Sequence, residues 1–181
     1  MLPKQVVSYR QLAEEGLTKK EILRLVSSLK LFPTPFKGIY YVPTNEERKA
    51  WFIEKPLRVL TMATAIFLGT DNFYYTCETA EEYFGIRWRP TKRVHITNEK
   101  MSRKINLAER IKRNLSKRTF RAKKLARILS FYGDEIVFHR RQSIEKAKTK
   151  ATPFGKFALR QQITKDRKTF KCLNKKEEGG K

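Results

Sequence analysis

The residues best able to do chemistry are few. His95 and His139 are the two histidines, and Cys77 and Cys172 the two cysteines. Neither histidine has a carboxylate or cysteine at a familiar metal-ligand spacing, and two cysteines alone make neither a disulfide framework nor a four-ligand site. Each histidine falls in a stretch that reads as a strand, so a neutral, structurally satisfied imidazole is expected for both. Cys77 shares a helix face with Ala80 and Phe84, which core packing explains. A metal-dependent nuclease needs clustered carboxylates, and Asp71, Glu78, Glu81 and Glu82 lie close in sequence, as do Asp134 and Glu135. Glu81 and Glu82 diverge on a helix, however, and a paired carboxylate before a strand is an ordinary turn. With no Walker-type glycine loop and no Gly-x-Ser-x-Gly elbow, the residues point to no active site, metal or cofactor, and a non-enzymatic protein is expected.

Cations, by contrast, are abundant. The chain holds 41 Lys+Arg against 18 Asp+Glu, a formal net charge of +23. Residues 1–86 hold 11 basic and 10 acidic side chains, whereas residues 87–181 hold 30 and 8. Such a density repels itself unless a polyanion or salt screens it, and counterion release from nucleic acid is the commonest remedy. A hydrophobic content of 40% is too high for a disordered chain, so the protein should fold. Two cysteines fit a reducing compartment. Met1–Arg10 lacks the apolar run of a secretory leader, and the longest apolar stretch, Leu57–Leu68, is interrupted by Arg58, Thr61 and Thr64. A cytoplasmic protein without a membrane partner is expected.

The elements that would present these cations begin near the N-terminus. Tyr9–Glu15 reads as a short helix, with Leu12 and Ala13 inward and Gly16 stopping it. Thr18 and Glu21 form a capping box that opens a second helix to about Lys30. Its apolar face is Ile22, Leu25, Val26 and Leu29, and Lys20, Arg24, Ser27 and Ser28 fall opposite. Leu31–Pro35 then turns, and Lys37–Val42 reads as a strand ended by Pro43. This is the pattern of a helix-turn-helix with a β-wing. One helix face packs on the scaffold while the other offers cations to phosphates and hydrogen-bonding groups to base edges. Arg24 suits bidentate guanine readout, Thr18 and Lys19 suit a phosphate at the helix start, and Lys37 beside Gly38 suits a flanking groove.

The run Leu12-Ala-Glu-Glu-Gly-Leu-Thr18, within Tyr9–Leu31, and the wing Gly38-Ile-Tyr40 resemble the N-terminal domain of AbiEi-type antitoxins. These are transcriptional regulators of prokaryotic phage-defence operons. Phe73–Ile86 and Val94–Thr97 are similar to that family's second domain, so the likeness spans roughly residues 5–97. The resemblance implies operator binding, autoregulation and a nucleotidyltransferase toxin as partner.

Farther along, Thr44/Glu47 and Thr79/Glu82 read as further capping boxes, the first opening a helix to about Glu54, and Pro56 as the first turn of a helix to about Leu68. Phe73–Thr76, Arg93–Thr97 and Glu135–Arg140 read as strands. Between Arg103 and Arg127 stand 11 basic residues and a single acid, Glu109. Ile111, Leu115, Ala122, Leu125 and Leu129 align on one helical face, while Arg110, Arg113, Lys117, Arg121, Lys124 and Arg127 lie away from it. Arg118 interrupts the stripe, which places a break near Ser116, with Ser116 as the cap of the second piece.

The expectation is therefore an α+β protein. Residues 1–43 form a winged helix-turn-helix, 44–173 a basic mixed α/β domain with a long basic helical segment, and 174–181 a disordered tail. The N-terminal helix would choose the double-stranded DNA sequence and the basic domain would grip phosphates. An RNA-binding or nucleoprotein-assembly factor is the second reading, and a metal-dependent nuclease the third.

Overall fold

The computed structural model describes residues 5–172, so the expected C-terminal tail lies outside the described residues. In chain order the elements are β1 (Val6–Ser8), α1 (Tyr9–Glu14), α2 (Lys19–Ser27), β2 (Phe32–Pro33), β3 (Ile39–Tyr41), α3 (Asn45–Ala50), α4 (Pro56–Leu68), β4 (Phe73–Tyr75), α5 (Cys77–Tyr83), β5 (Arg93–Asn98), β6 (Arg103–Asn106), α6 (Leu107–Ser116), α7 (Phe120–Ser130), β7 (Glu135–Arg140), β8 (Thr149–Thr152), β9 (Gly155–Ala158) and α8 (Arg160–Phe170). The fold is mixed α+β.

The chain forms two compact units, one from residues 1–71 and 105–136, the other from 72–104 and 137–181. The expected boundary after residue 43 is therefore replaced by one after Asp71. The reason is packing: α4 lies against β1 and β3, so the helices after Pro43 complete the N-terminal core. The basic helices α6 and α7 belong to this first unit as well, with α7 packed on β2. Charge is redistributed accordingly. The first unit holds 20 basic and 10 acidic side chains and the second 21 and 8, so the neutral N-terminal domain expected from sequence does not exist as a compact body.

In the first unit β3 is the centre of a three-stranded antiparallel sheet, order β1-β3-β2, with Val6 opposite Tyr41 and Phe32 opposite Tyr41 on the other side. Val7, Leu12, Ile22 and Leu31 form the buried cluster beneath it. Local chemistry sets the elements. Ser8 caps α1, accepting from the Gln11 N–H (3.1 Å) while the Gln11 side chain accepts from the Ser8 N–H (2.9 Å). Gly16, at φ +89°, makes the turn between α1 and α2 in a conformation few side-chain-bearing residues tolerate. Ala13, expected to face inward, is exposed, because six residues give α1 room for a single buried contact, Leu12. The Thr18 and Thr44 capping boxes form as the sequence indicates.

The second unit is organised on a six-stranded sheet of order β6-β7-β5-β4-β9-β8. β4 pairs antiparallel with β5 and parallel with β9; α5 and α8 pack on each other, α5 also against β5 and β9 and α8 against β9. The capping box expected at Thr79 and Glu82 is absent. Thr79 lies inside α5, where its hydroxyl donates to the Arg93 carbonyl (3.3 Å) and accepts from the His95 N–H (2.8 Å). It binds the helix to β5 instead of starting it. Among the described residues, no helix is long and apolar enough to cross a membrane.

Candidate functional site

The outer face of α2 is built from its first turn onward. Thr18 Oγ1 accepts from the Glu21 N–H (3.3 Å), and the Glu21 carboxylate accepts from the Thr18 N–H (2.7 Å) and hydroxyl (2.7 Å). These bonds hold the Glu21 carboxyl below its ordinary range. Thr18 is thus committed to the cap, so its hydroxyl proton is not available to a phosphate. Ile22 is fully buried and Leu25 and Val26 half-buried against the core, which turns Lys20, Arg24 and Ser28 outward at four-residue intervals. Ser27 sits beside this stripe, half-buried. The Ser27 hydroxyl donates to the Leu23 carbonyl (2.7 Å) and that of Ser28 to Leu25 (3.2 Å), which leaves both oxygens as acceptors. The helix ends at Ser27, just before Leu29 enters the left-handed region (φ 57°), three residues short of the limit expected from sequence. Lys19 is exposed at the start of α2, and Lys37 is exposed in the β2–β3 hairpin next to Gly38 (φ +77°).

The basic segment separates its cations into two groups. Arg113, Lys117, Arg121 and Arg127 are exposed, and among the described residues none of their side chains makes an ion pair or hydrogen bond. The same holds for Lys19, Lys20, Arg24 and Lys37. Arg110 and Lys124 behave differently. Arg110 donates to the Pro35 carbonyl at 2.8 Å, half-buried, and burial depresses its pKa. Lys124 Nζ lies 3.9 Å over the Trp51 ring and 4.1 Å over Phe120. Both were expected as free phosphate contacts, and both instead hold the unit together. The reason is that α6 and α7 pack against each other and α7 against β2, within the same unit as Pro35 and Trp51. The cap of α7 is Thr119, which accepts from the Ala122 N–H (3.2 Å), whereas Ser116 donates to the Arg113 carbonyl (2.9 Å). Val26, Lys37, Gly38, Tyr40, Arg110 and Leu125 line a cleft of about 270 Å³ in this unit.

Three carboxylates of the second unit, Glu78, Glu81 and Asp166, are each engaged by a cation. Glu78 Oε1 lies 3.4 Å from Arg87 Nη1, and Glu81 Oε2 2.6 Å from Arg167 Nη2. Asp166 is fully buried; it accepts from Arg141 (2.6 Å), Gln162 (2.8 Å), Thr76 (2.5 Å) and Tyr74 (3.1 Å). In the first unit, the backbone carbonyl of Asp134 accepts from the Leu107 and Ala108 N–H groups at the start of α6. Glu78, Glu81 and Asp166 are thus tied to cations of their own unit.

A different group does converge. Cys77 opens α5, His95 lies on β5, His139 on β7, and Cys172 two residues past α8. One ligand-capable atom of each lies within 4.8 Å of all the others, and all four residues are buried. His95 Nδ1 is 3.0 Å from His139 Nε2, which is 3.9 Å from Cys172 Sγ, and Cys77 and Cys172 are joined as a disulfide. On its far side His95 Nε2 stands 3.8 Å from Glu78 Oε2. His95 holds the Glu78 carboxyl down to about 2, assisted by Thr91 and Arg87 against the opposing effect of burial. Burial, then the neighbouring His95, pushes His139 down to about 4, so its imidazole is neutral near pH 7. The sequence separations of these four residues gave no signal of the cluster. The neighbouring strands β7 and β5 bring the histidines together, and the packing of α5 on β5 and α8 brings the cysteines to them.

The sequence also gave no weight to Trp88. Its side chain is 82% exposed, with the Arg89 guanidinium 4.8 Å over the ring, beside a depression lined by Glu81, Ile86, Arg87 and Arg167. No protein-family model matches the chain, and neither a curated protein nor a solved structure matches it.

Proposed function

We propose that this chain is a non-catalytic, sequence-specific regulator that binds double-stranded DNA through its first unit. On this reading α1 and α2 are a helix-turn-helix, the β2–β3 hairpin is its wing, and α2 is the recognition helix. The observation that carries it is the stripe of Lys20, Arg24 and Ser28 on α2, outward and without side-chain ion partners, in the same compact unit as Arg113, Lys117, Arg121 and Arg127. Arg24 reads a base edge, Ser27 and Ser28 accept from bases or bridging water, and the α6–α7 cations hold phosphates. The second unit then serves as a structural body. The likeness to AbiEi-type antitoxins extends the proposal to autoregulation of its own operon in the cytoplasm, with a nucleotidyltransferase toxin as partner.

A gel shift with the DNA upstream of its own gene, run at two salt concentrations, tests this reading. Binding should be retained against unrelated competitor and fall steeply with salt. Equal affinity for every duplex would contradict it. Trp88 with Arg89 over its face favours a second reading, in which unpaired bases of RNA stack on an exposed aromatic. Tighter binding to structured RNA than to any duplex DNA would select that reading. Cleavage with magnesium or manganese would select the nuclease instead.

A further inference from the structure

We infer that the buried cluster of Cys77, His95, His139 and Cys172 is a structural zinc site when its cysteines are reduced. The donor set is the first argument. Two thiolates and two imidazoles are the Cys₂His₂ combination that zinc takes in closed, four-coordinate sites, and no water-filled position remains for catalysis. Geometry is the second. Zn–N and Zn–S bonds of about 2.0–2.3 Å arranged tetrahedrally place ligand atoms roughly 3.3–3.8 Å apart. The measured 3.0 Å between His95 Nδ1 and His139 Nε2 and 3.9 Å between His139 Nε2 and Cys172 Sγ lie close to that, and no pair in the cluster exceeds 4.8 Å. Reduction of the Cys77–Cys172 bond frees the two sulfurs to take the remaining corners.

The surroundings supply a third, independent argument. Imidazoles that bind metal commonly direct their other ring N–H at a carboxylate, which fixes the tautomer. His95 presents Nδ1 to the cluster and Nε2 to the buried Glu78, and Nε2 is itself a buried polar atom without a hydrogen-bond partner. A proton on Nε2 facing Glu78 leaves the Nδ1 lone pair for the ion. Cys77 and Lys171, the neighbour of Cys172, both hold left-handed backbone (φ 51°), so the chain bends at each thiol to bring it to the same point.

The disulfide and the ion are alternative occupants of one position. A phosphine reductant takes the oxygen of water and leaves two thiols; zinc then displaces both thiol protons. The resulting bonds link α5, β5, β7 and the end of α8, which are the elements that organise the second unit.

The test uses the full chain, reduced with a phosphine, stripped with a chelator and titrated with zinc or with cobalt as its spectroscopic substitute. One equivalent should bind, and cobalt should show the visible bands of a tetrahedral site together with thiolate charge transfer. Cys77→Ser and His139→Asn should abolish both, and Glu78→Ala should weaken zinc binding by about 10–100-fold. Should the variants fail to fold, alkylation of the wild-type chain decides the matter, because zinc must shield Cys77 and Cys172 together. A folded, reduced chain that binds no stoichiometric metal, whose thiols react equally with and without zinc, or whose binding survives His139→Asn in a folded variant, overturns the inference.

Discussion

In the first unit Lys19, Lys20, Arg24, Arg113, Lys117, Arg121 and Arg127 stand exposed and without ion partners among the described residues. In the second, Arg87, Arg141 and Arg167 are drawn onto Glu78, Asp166 and Glu81. The two units carry a similar excess of positive charge, so net charge does not distinguish them. These two sets of cations differ in what each touches, although the second unit also carries exposed cations on α8, Arg160, Lys165 and Lys168. An exposed cation on a helix remains available to an external polyanion, whereas one held 2.6 Å from a buried carboxylate is part of the core. Even within α6 the distinction holds between neighbours, since Arg113 is exposed and Arg110 binds the Pro35 carbonyl.

The comparison can be broken first at Asp166. Asp166→Ala leaves Arg141 unpaired and the Thr76, Tyr74 and Gln162 groups without their acceptor, and should lower stability by about 3–5 kcal/mol in urea denaturation. The DNA affinity of the folded protein should not change; a parallel loss would assign binding to the second unit. Arg110→Ala should cost about 1.5–3 kcal/mol of stability, the range for a hydrogen bond to a charged group, with the salt dependence of binding intact. A flatter salt dependence would return Arg110 to the phosphate contacts. Arg24→Ala should reduce discrimination between operator and unrelated DNA by about 1–3 kcal/mol, read from competition binding, with little effect on stability. Thr18→Ala removes the cap of α2 and should cost about 1 kcal/mol of stability. Its effect on the operator should be no larger than that loss of helix implies.

Periodicity and capping chemistry account for what could be read from the sequence. The Thr18 and Thr44 boxes, the α4 helix opened by Pro56 and the β7 strand are local, each written in a few adjacent residues. The limits of the sequence reading are non-local. Ile111 and Leu125 announce an apolar face, but only the fold shows that α7 packs against β2 and that residues 105–136 belong with the N-terminal body. Arg110 and Arg113 are alike in sequence and differ because Pro35 lies within reach of one. Thr79 has the spacing of a cap and is instead a buried link to β5. The Cys–His cluster is the extreme case, since four single residues, three on separate elements and one past α8, have no common spacing to detect.

The most direct test neutralises equal charge in the two units and compares the salt slopes of DNA binding. The account predicts that Arg113→Gln, Lys117→Gln and Arg121→Gln together reduce the slope of log K against log salt by about 2.7, at roughly 0.9 per lost phosphate contact. The matched set on α8, Arg160→Gln, Lys165→Gln and Lys168→Gln, is equally exposed and should leave the slope unchanged. If the α8 set flattens the slope as much, or the α6–α7 set does not, the first unit is not where this protein holds DNA.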